Sequence, residues 1–146
     1  MRKKSGTFLG ILGCFALLAM PNAYAQSEEK VTASIPFEFT AGGSMLPAGE
    51  YTISRVANAP GMLLIRSEDN HTARFFGVEN AYVHQTPDRT ELVFNEVGDK
   101  YFLSQVWVEG EDLGRELPKP RAERELERSS TKTGSVAILC KSVEKG

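Results

Sequence analysis

The chain is poor in the residue types that build catalytic and metal centres. Its 146 residues hold two histidines, His71 and His84, and two cysteines, Cys14 and Cys140. Neither histidine has a second histidine or a cysteine at the short spacings of a zinc site. Each has one carboxylate in sequence reach, Asp69 or Asp88, and lies in turn-rich sequence, so both read as solvated loop residues. No serine occupies a Gly-x-Ser-x-Gly setting, and no glycine-rich loop joins a strand to a helix. The acidic run Glu109-Gly-Glu-Asp112 lacks the alternating ligands of a calcium loop and reads as a solvated loop. The expectation is therefore no catalytic, cofactor-binding or metal-ligating residues, no cofactor, and no enzyme.

Long apolar runs are also missing. The longest, Phe8 to Met20, has 13 residues, short of the ~20 that span a bilayer. It follows Arg2, Lys3 and Lys4 and precedes Ala23-Tyr-Ala25, the pattern of a secretory signal peptide over residues 1–25 with cleavage after Ala25. A rival reading, a lipoprotein box at Ile11-Leu-Gly-Cys14, leaves too few apolar residues ahead of Cys14. The expected location is the periplasm or the cell exterior, with no integral membrane segment once the signal is removed.

Removing Arg2, Lys3 and Lys4 takes the net charge from −2 to −5. A mildly acidic chain with no basic patch has no footprint for nucleic acid and none for anionic membrane surfaces. Only Cys140 remains after processing, so no internal disulfide is possible; it reads as a small apolar residue in the run Val136–Cys140, with an intermolecular pair or a reactive thiol as the alternatives. Asn70-His-Thr72 is formally a glycosylation sequon.

What the chain has in quantity is two-residue periodicity. From Val31 to Phe39 every odd position is apolar: Val31, Ala33, Ile35, Phe37 and Phe39. That predicts one strand with a buried face, and Pro36, which has no N–H to donate, places it at a sheet edge or a bulge. Ala41 to Gly49 is turn sequence, with Met45 and Leu46 tucking back over the sheet, and Glu50 to Val56 returns as the second arm of a hairpin. After a break at Asn58–Gly61, Met62 to Ile65 reads as a strand buried on both faces. A longer strand is expected from Ala73 to Val83, bulged near Phe75-Phe-Gly77.

Glu91 to Val108 reads as a second hairpin about a type II′ turn at Gly98-Asp99. That turn sets Val97 opposite Lys100, Glu96 opposite Tyr101 and Phe94 opposite Leu103, and predicts that Leu92, Phe94, Leu103 and Trp107 share the core face. The aromatics could instead line a ligand cavity, but a domain of this size needs most of them as filling. Residues 109–119 and 129–135 read as flexible. Between them a short helix is expected over about 120–129, with Pro120 at its first position, Ala122 and Leu126 as its apolar stripe, and Arg121, Glu123, Arg124, Glu125, Glu127 and Arg128 as a solvated face. Val136–Cys140 could add a last strand.

The segments Pro36-Phe-Glu-Phe39, Gly42-Gly43 and Leu46-Pro-Ala-Gly-Glu-Tyr51, with Glu116–Leu126, resemble a group of small exported proteins of uncharacterised function from Acidobacteria and similar bacteria. The resemblance implies architecture and export, with no activity attached. The Pro-Ala-Gly-x-Tyr turn is also similar to those of transthyretin-like and carboxypeptidase-regulatory-like β-sandwiches. Taken together, residues 26–146 are expected to form one mainly β domain, an antiparallel meander of six to seven strands closed as a barrel or folded as a sandwich, with one short C-terminal helix. The leading functional expectation is an exported, non-catalytic domain that binds an unknown protein or envelope partner or has a structural role there. The alternative is a barrel carrier of a small apolar ligand, and an enzyme of unknown type comes third.

Overall fold

A computed structural model describes residues 29–69 and 71–143. The expected signal peptide over residues 1–25, residues 26–28, Asn70 of the sequon and the last three residues lie outside the described residues.

Val31, Ala33 and Ile35 point inward from strand β1 (Lys30–Ile35), as the alternation predicts. The strand stops at Pro36, because proline fixes φ and offers no donor to a ladder. The expected single strand over 31–39 is therefore two. Phe39 and Ala41 continue the inward alternation from β2 (Phe39–Ala41), but in the opposite sheet. The periodicity survives the crossing because both sheets face the same interior. A two-residue turn at Gly42-Gly43, both with positive φ (55° and 82°), leads into β3 (Ser44–Leu46). A Cβ on Gly42 would also lie 2.5 Å from the Phe76 Cβ, so this position is glycine for two reasons. Leu46 tucks inward as expected, whereas Met45 is exposed.

β4 (Gly49–Val56) then pairs with β1, Ala33 opposite Tyr51 and Ile35 opposite Gly49, so the first hairpin exists with β2–β3 inserted at its tip. A tight turn at Ala57-Asn58 leads into β5 (Ala59–Ser67), which starts earlier than expected and buries one face, through Leu63, Ile65 and Ser67. The expected strand over 73–83 also divides. β6 (Ala73–Gly77) pairs with β5, and β7 (Glu79–Tyr82) belongs to the other sheet. The blurred alternation near Phe75 marks this change of sheet at Val78, whose N–H donates to the Gly61 carbonyl at 2.8 Å.

The second hairpin, β8 (Glu91–Val97) and β9 (Lys100–Trp107), has the expected turn. Gly98 has φ 65° while Asp99 is not in the positive-φ region, and Val97, Glu96 and Phe94 face Lys100, Tyr101 and Leu103. One part of the reading is corrected. The register then jumps so that Val93 faces Gln105, leaving Ser104 as an extra residue. A bulge inverts the phase beyond it, so Val106 joins Leu92, Phe94 and Leu103 in the core. Trp107 goes to the outer face, over Gly114.

β10 (Leu113–Glu116) forms inside the stretch read as flexible, pairing with both β9 and β7. Helix α1 (Arg121–Ser129) follows, with Pro120 one position before it, as N-cap. β11 (Thr133–Leu139) pairs along its length with β8, and β12 (Lys141–Val143) crosses back to pair with β1. The antiparallel sheets are thus β12-β1-β4-β5-β6 and β11-β8-β9-β10-β7, the latter extended by β2–β3 through one parallel pair, Thr40 with Phe102. They form a sandwich-like pair and no closed barrel. The strand count exceeds the expected six or seven because sheet changes at Pro36, Val78 and Cys140 cut long segments into short ones, and these exchanges replace a simple meander. β1 is also not an edge at its start, since β12 covers Lys30 to Thr32.

Tyr51, Phe39, Phe94, Ile35, Ile53, Ile65 and Leu92 fill the space between the sheets. Phe39 meets Tyr51 and Phe94 edge to face at 5.2 and 5.4 Å, a geometry aromatic quadrupoles favour. The Tyr51 hydroxyl donates to the Pro47 carbonyl at 2.5 Å, which satisfies its polar end inside the fold.

Candidate functional site

Charged residues from both sheets converge at one cleft. Glu29 precedes β1, Arg55 is the penultimate residue of β4, Glu111 lies in the loop after β9, and Arg115 stands on β10. They rim a shallow cleft with about 20 Å³ of water-accessible space, whose walls include Val31, Ile53, Leu63, Val106, Val108 and Leu113. The register of β1 with β4 pairs Lys30 with Ser54; carried one residue further, it brings Glu29 opposite Arg55. One Arg55 nitrogen, Nη2, takes both carboxylates, Glu29 at 2.9 Å and Glu111 at 2.5 Å. The ion pair therefore ties the first sheet to a loop of the second.

The two carboxyls are close enough to influence each other. Burial raises the Glu29 carboxyl above its ordinary range, and contact with Glu111 adds to the rise while Arg55 opposes it. Arg115 is the odd member. It donates through Nη1 to the Asn80 side-chain oxygen at 3.3 Å and to the Gly114 carbonyl at 3.2 Å, both neutral acceptors. Its Nε is the only buried side-chain polar atom without a partner among the described residues. Burial, followed by the neighbouring Arg55, makes its charge costlier to hold. Such an unmatched donor costs about 1–3 kcal/mol, so a site of this kind is an exception in a folded protein.

A second polar group is buried on the far side of the second sheet. Glu123, expected on the solvated face of α1, is 2% exposed and accepts a hydrogen bond from Asn95 Nδ2 at 2.7 Å. Asn95 is out of phase with Phe94, so α1 lies on the outer face of β8. The helix docks through Glu123 and the half-buried Leu126, while Ala122 of the expected stripe is exposed. Burial raises the Glu123 carboxyl; the Asn95 bond and Lys119 counter it.

The other residues singled out in the sequence stay apart. His71, which has φ 53°, and His84 are exposed in separate loops. Cys140 sits half-buried at a sheet change, its thiol donating to the Ile138 carbonyl at 3.3 Å, and burial pushes it up to about 11, so the reactive thiolate is scarce at neutral pH. Of the acidic run, Glu111 serves Arg55 and Asp112 accepts from the Thr86 hydroxyl. Among the described residues no three acidic, histidine or cysteine side chains are grouped to hold a metal ion, and no helix is long and apolar enough to cross a membrane. Sequence reading missed Arg55, Arg115 and Glu29 altogether. The available signal was the hairpin register, which brings Glu29 to Arg55, but Arg115 arrives from 60 residues away and carries no local mark. No protein-family model, no curated protein and no solved structure matches this chain.

Proposed function

We propose that this chain is an exported, non-catalytic binding module of the cell envelope, and that the inter-sheet cleft rimmed by Arg55 and Arg115 is its ligand-facing part. The observation that carries this reading is the contrast between a filled interior and one incompletely satisfied charged cleft. Between the sheets the large side chains pack against one another, and Phe39, Tyr51 and Phe94 occupy the space a carried apolar ligand would need. This favours a binding module over the carrier. In the cleft, Glu29 and Glu111 act as counter-ions to Arg55, no histidine or thiol among the described residues lines it, and the groups present suit recognition better than proton transfer.

Export is tested by recovering the protein from a producing bacterium and sequencing its amino terminus. Gln26 as first residue, in the periplasmic or culture fraction, is the expected result, and an intact cytoplasmic chain defeats the proposal. Binding is tested by passing envelope extract over the immobilised protein and over an Arg55→Ala, Arg115→Ala variant. Retention of the same component by both, or by neither, removes the cleft from the reading.

A further inference from the structure

We infer that the groove between β2 and the start of β9 is a second binding site, and that it takes the neutral terminal ring of a saccharide. This groove is separate from the charged cleft, which meets β9 at Val106, near its other end. β2 and β9 pair only where Thr40 faces Phe102, and no pairing continues toward Glu38 and Lys100. A water-accessible space of about 150 Å³ lies between the two segments on that side. A cavity of about 150 Å³ accepts a benzene molecule, so one six-membered ring fits. The residues at its mouth, Glu38, Met45, Asp99 and Lys100, are exposed, which leaves a path for the rest of a longer chain to continue into solvent.

The lining narrows the class. One part is aromatic: Phe37 and Tyr101 stack at 3.9 Å, and Phe37 is held edge-on by the buried Phe94 at 5.1 Å. Rings packed in this way are set before a ligand arrives, so little side-chain freedom is lost on binding. The other part is charged, with both signs side by side. The Glu38, Asp99 and Lys100 side chains take part in no hydrogen bond or ion pair among the described residues. The carboxylates only accept and the ammonium only donates. An anion meets the two carboxylates, a cation meets the ammonium, and an apolar ring gains nothing from any of the three. A pyranose suits them all, because its C–H face covers the aromatic rings while its hydroxyls donate to Glu38 and Asp99 and accept from Lys100. A zwitterionic amino acid also offers both signs, but exposed ion pairs contribute little in water.

The test is a titration of the isotope-labelled protein, purified from a producing bacterium, followed by amide chemical shifts. The probes are maltotriose, cellotriose, mannotriose and tri-N-acetylchitotriose. At least one is expected to give saturable shifts at millimolar concentration, confined to residues 37–40, 45 and 99–101, while cyclohexanol and phenylalanine give none there. Cyclohexanol keeps the ring and loses the array of hydroxyls, and phenylalanine stands for the zwitterion. Glu38→Gln and Lys100→Ala alter exposed side chains and leave the core intact. Each is expected to weaken the bound saccharide by about 3- to 10-fold, the loss of a charge-assisted hydrogen bond at an exposed site. The Arg55→Ala, Arg115→Ala variant is expected to bind it unchanged, so this site and the charged cleft stand or fall separately. The inference is overturned if none of the saccharides gives saturable shifts, if cyclohexanol or phenylalanine shifts the same residues equally well, or if affinity is unchanged in both Glu38→Gln and Lys100→Ala.

Discussion

The second sheet is packed on both faces, and the two packings rest on different physics. Its inner face presents Leu92, Phe94, Leu103 and Val106 to a core completed by Tyr51, Ile53 and Ile65 of the first sheet. Burial of apolar area is non-directional and amounts to roughly 1.5–3 kcal/mol for each large side chain. Its outer face, where α1 lies, seats a carboxyl against a single amide. That contact is directional and specifies where the helix sits, but its net contribution is small, because the carboxyl gives up water to make it. A fold can thus be secured by one face of a sheet and given an adjustable attachment on the other.

The contrast breaks most visibly on the inner face. Phe94→Ala is expected to cost about 3–5 kcal/mol, read as a lowered denaturant midpoint with an unchanged slope. Next comes the outer face away from the helix, where Trp107 covers Gly114. Gly114→Ala should cost about 1–3 kcal/mol by overpacking, with the Trp107 fluorescence shifting as the ring is displaced. Asn95→Ala leaves the Glu123 carboxyl without its donor and is expected to cost about 1–2 kcal/mol, with amide exchange accelerated in residues 121–129 ahead of the core strands.

The sign of the pH effect separates the two faces further. Burial raises Glu123 above its ordinary value of 4.5. Its contribution is therefore fully present below that value and is lost as pH rises through the raised folded value. Helix docking, followed by amide exchange in α1, should weaken over that window as pH increases. Glu123→Gln should remove this dependence, leaving, among the described carboxyls, the same-signed trend from Glu29. The smallest effect belongs to the solvent side of the helix. Arg121→Ala, which removes the exposed pair with Glu125 at 2.7 Å, should change stability by only about 0.3–0.5 kcal/mol.

The parts of this architecture that were legible in the sequence are those fixed by neighbours in the chain. Gly98 supplies the positive φ of a two-residue turn, and the register of β8 with β9 follows from it as far as Leu103. Beyond that point Ser104 intervenes, and nothing in Leu103-Ser-Gln-Val-Trp107 announces a bulge, because either phase offers an apolar residue to the core. The first hairpin is the opposite case. Its alternation through Phe37 and Phe39 is real, yet it spans two sheets, since a residue pointing inward from either sheet reaches the same interior. Phe37 itself, stacked on Tyr101 at 3.9 Å and edge-on to Phe94 at 5.1 Å, already belongs to the second hairpin's surroundings.

The candidate cleft was hardly legible at all. Its members come from the start of β1, the end of β4, a loop and β10, and each is an ordinary surface charge in its own stretch of sequence. Glu123 was misread for the related reason that helical spacing marks which residues share a face without marking which face meets the sheet. By itself the sequence determined a mainly β chain with an exact turn at Gly98 and one helix after Pro120, because those features depend on φ preferences and on side-chain alternation between neighbours. Only the tertiary structure decided where strands change sheet, which carboxyl is taken from water, and that the Arg115 Nε is buried without a partner, because desolvation and charge pairing depend on groups brought together from distant parts of the chain.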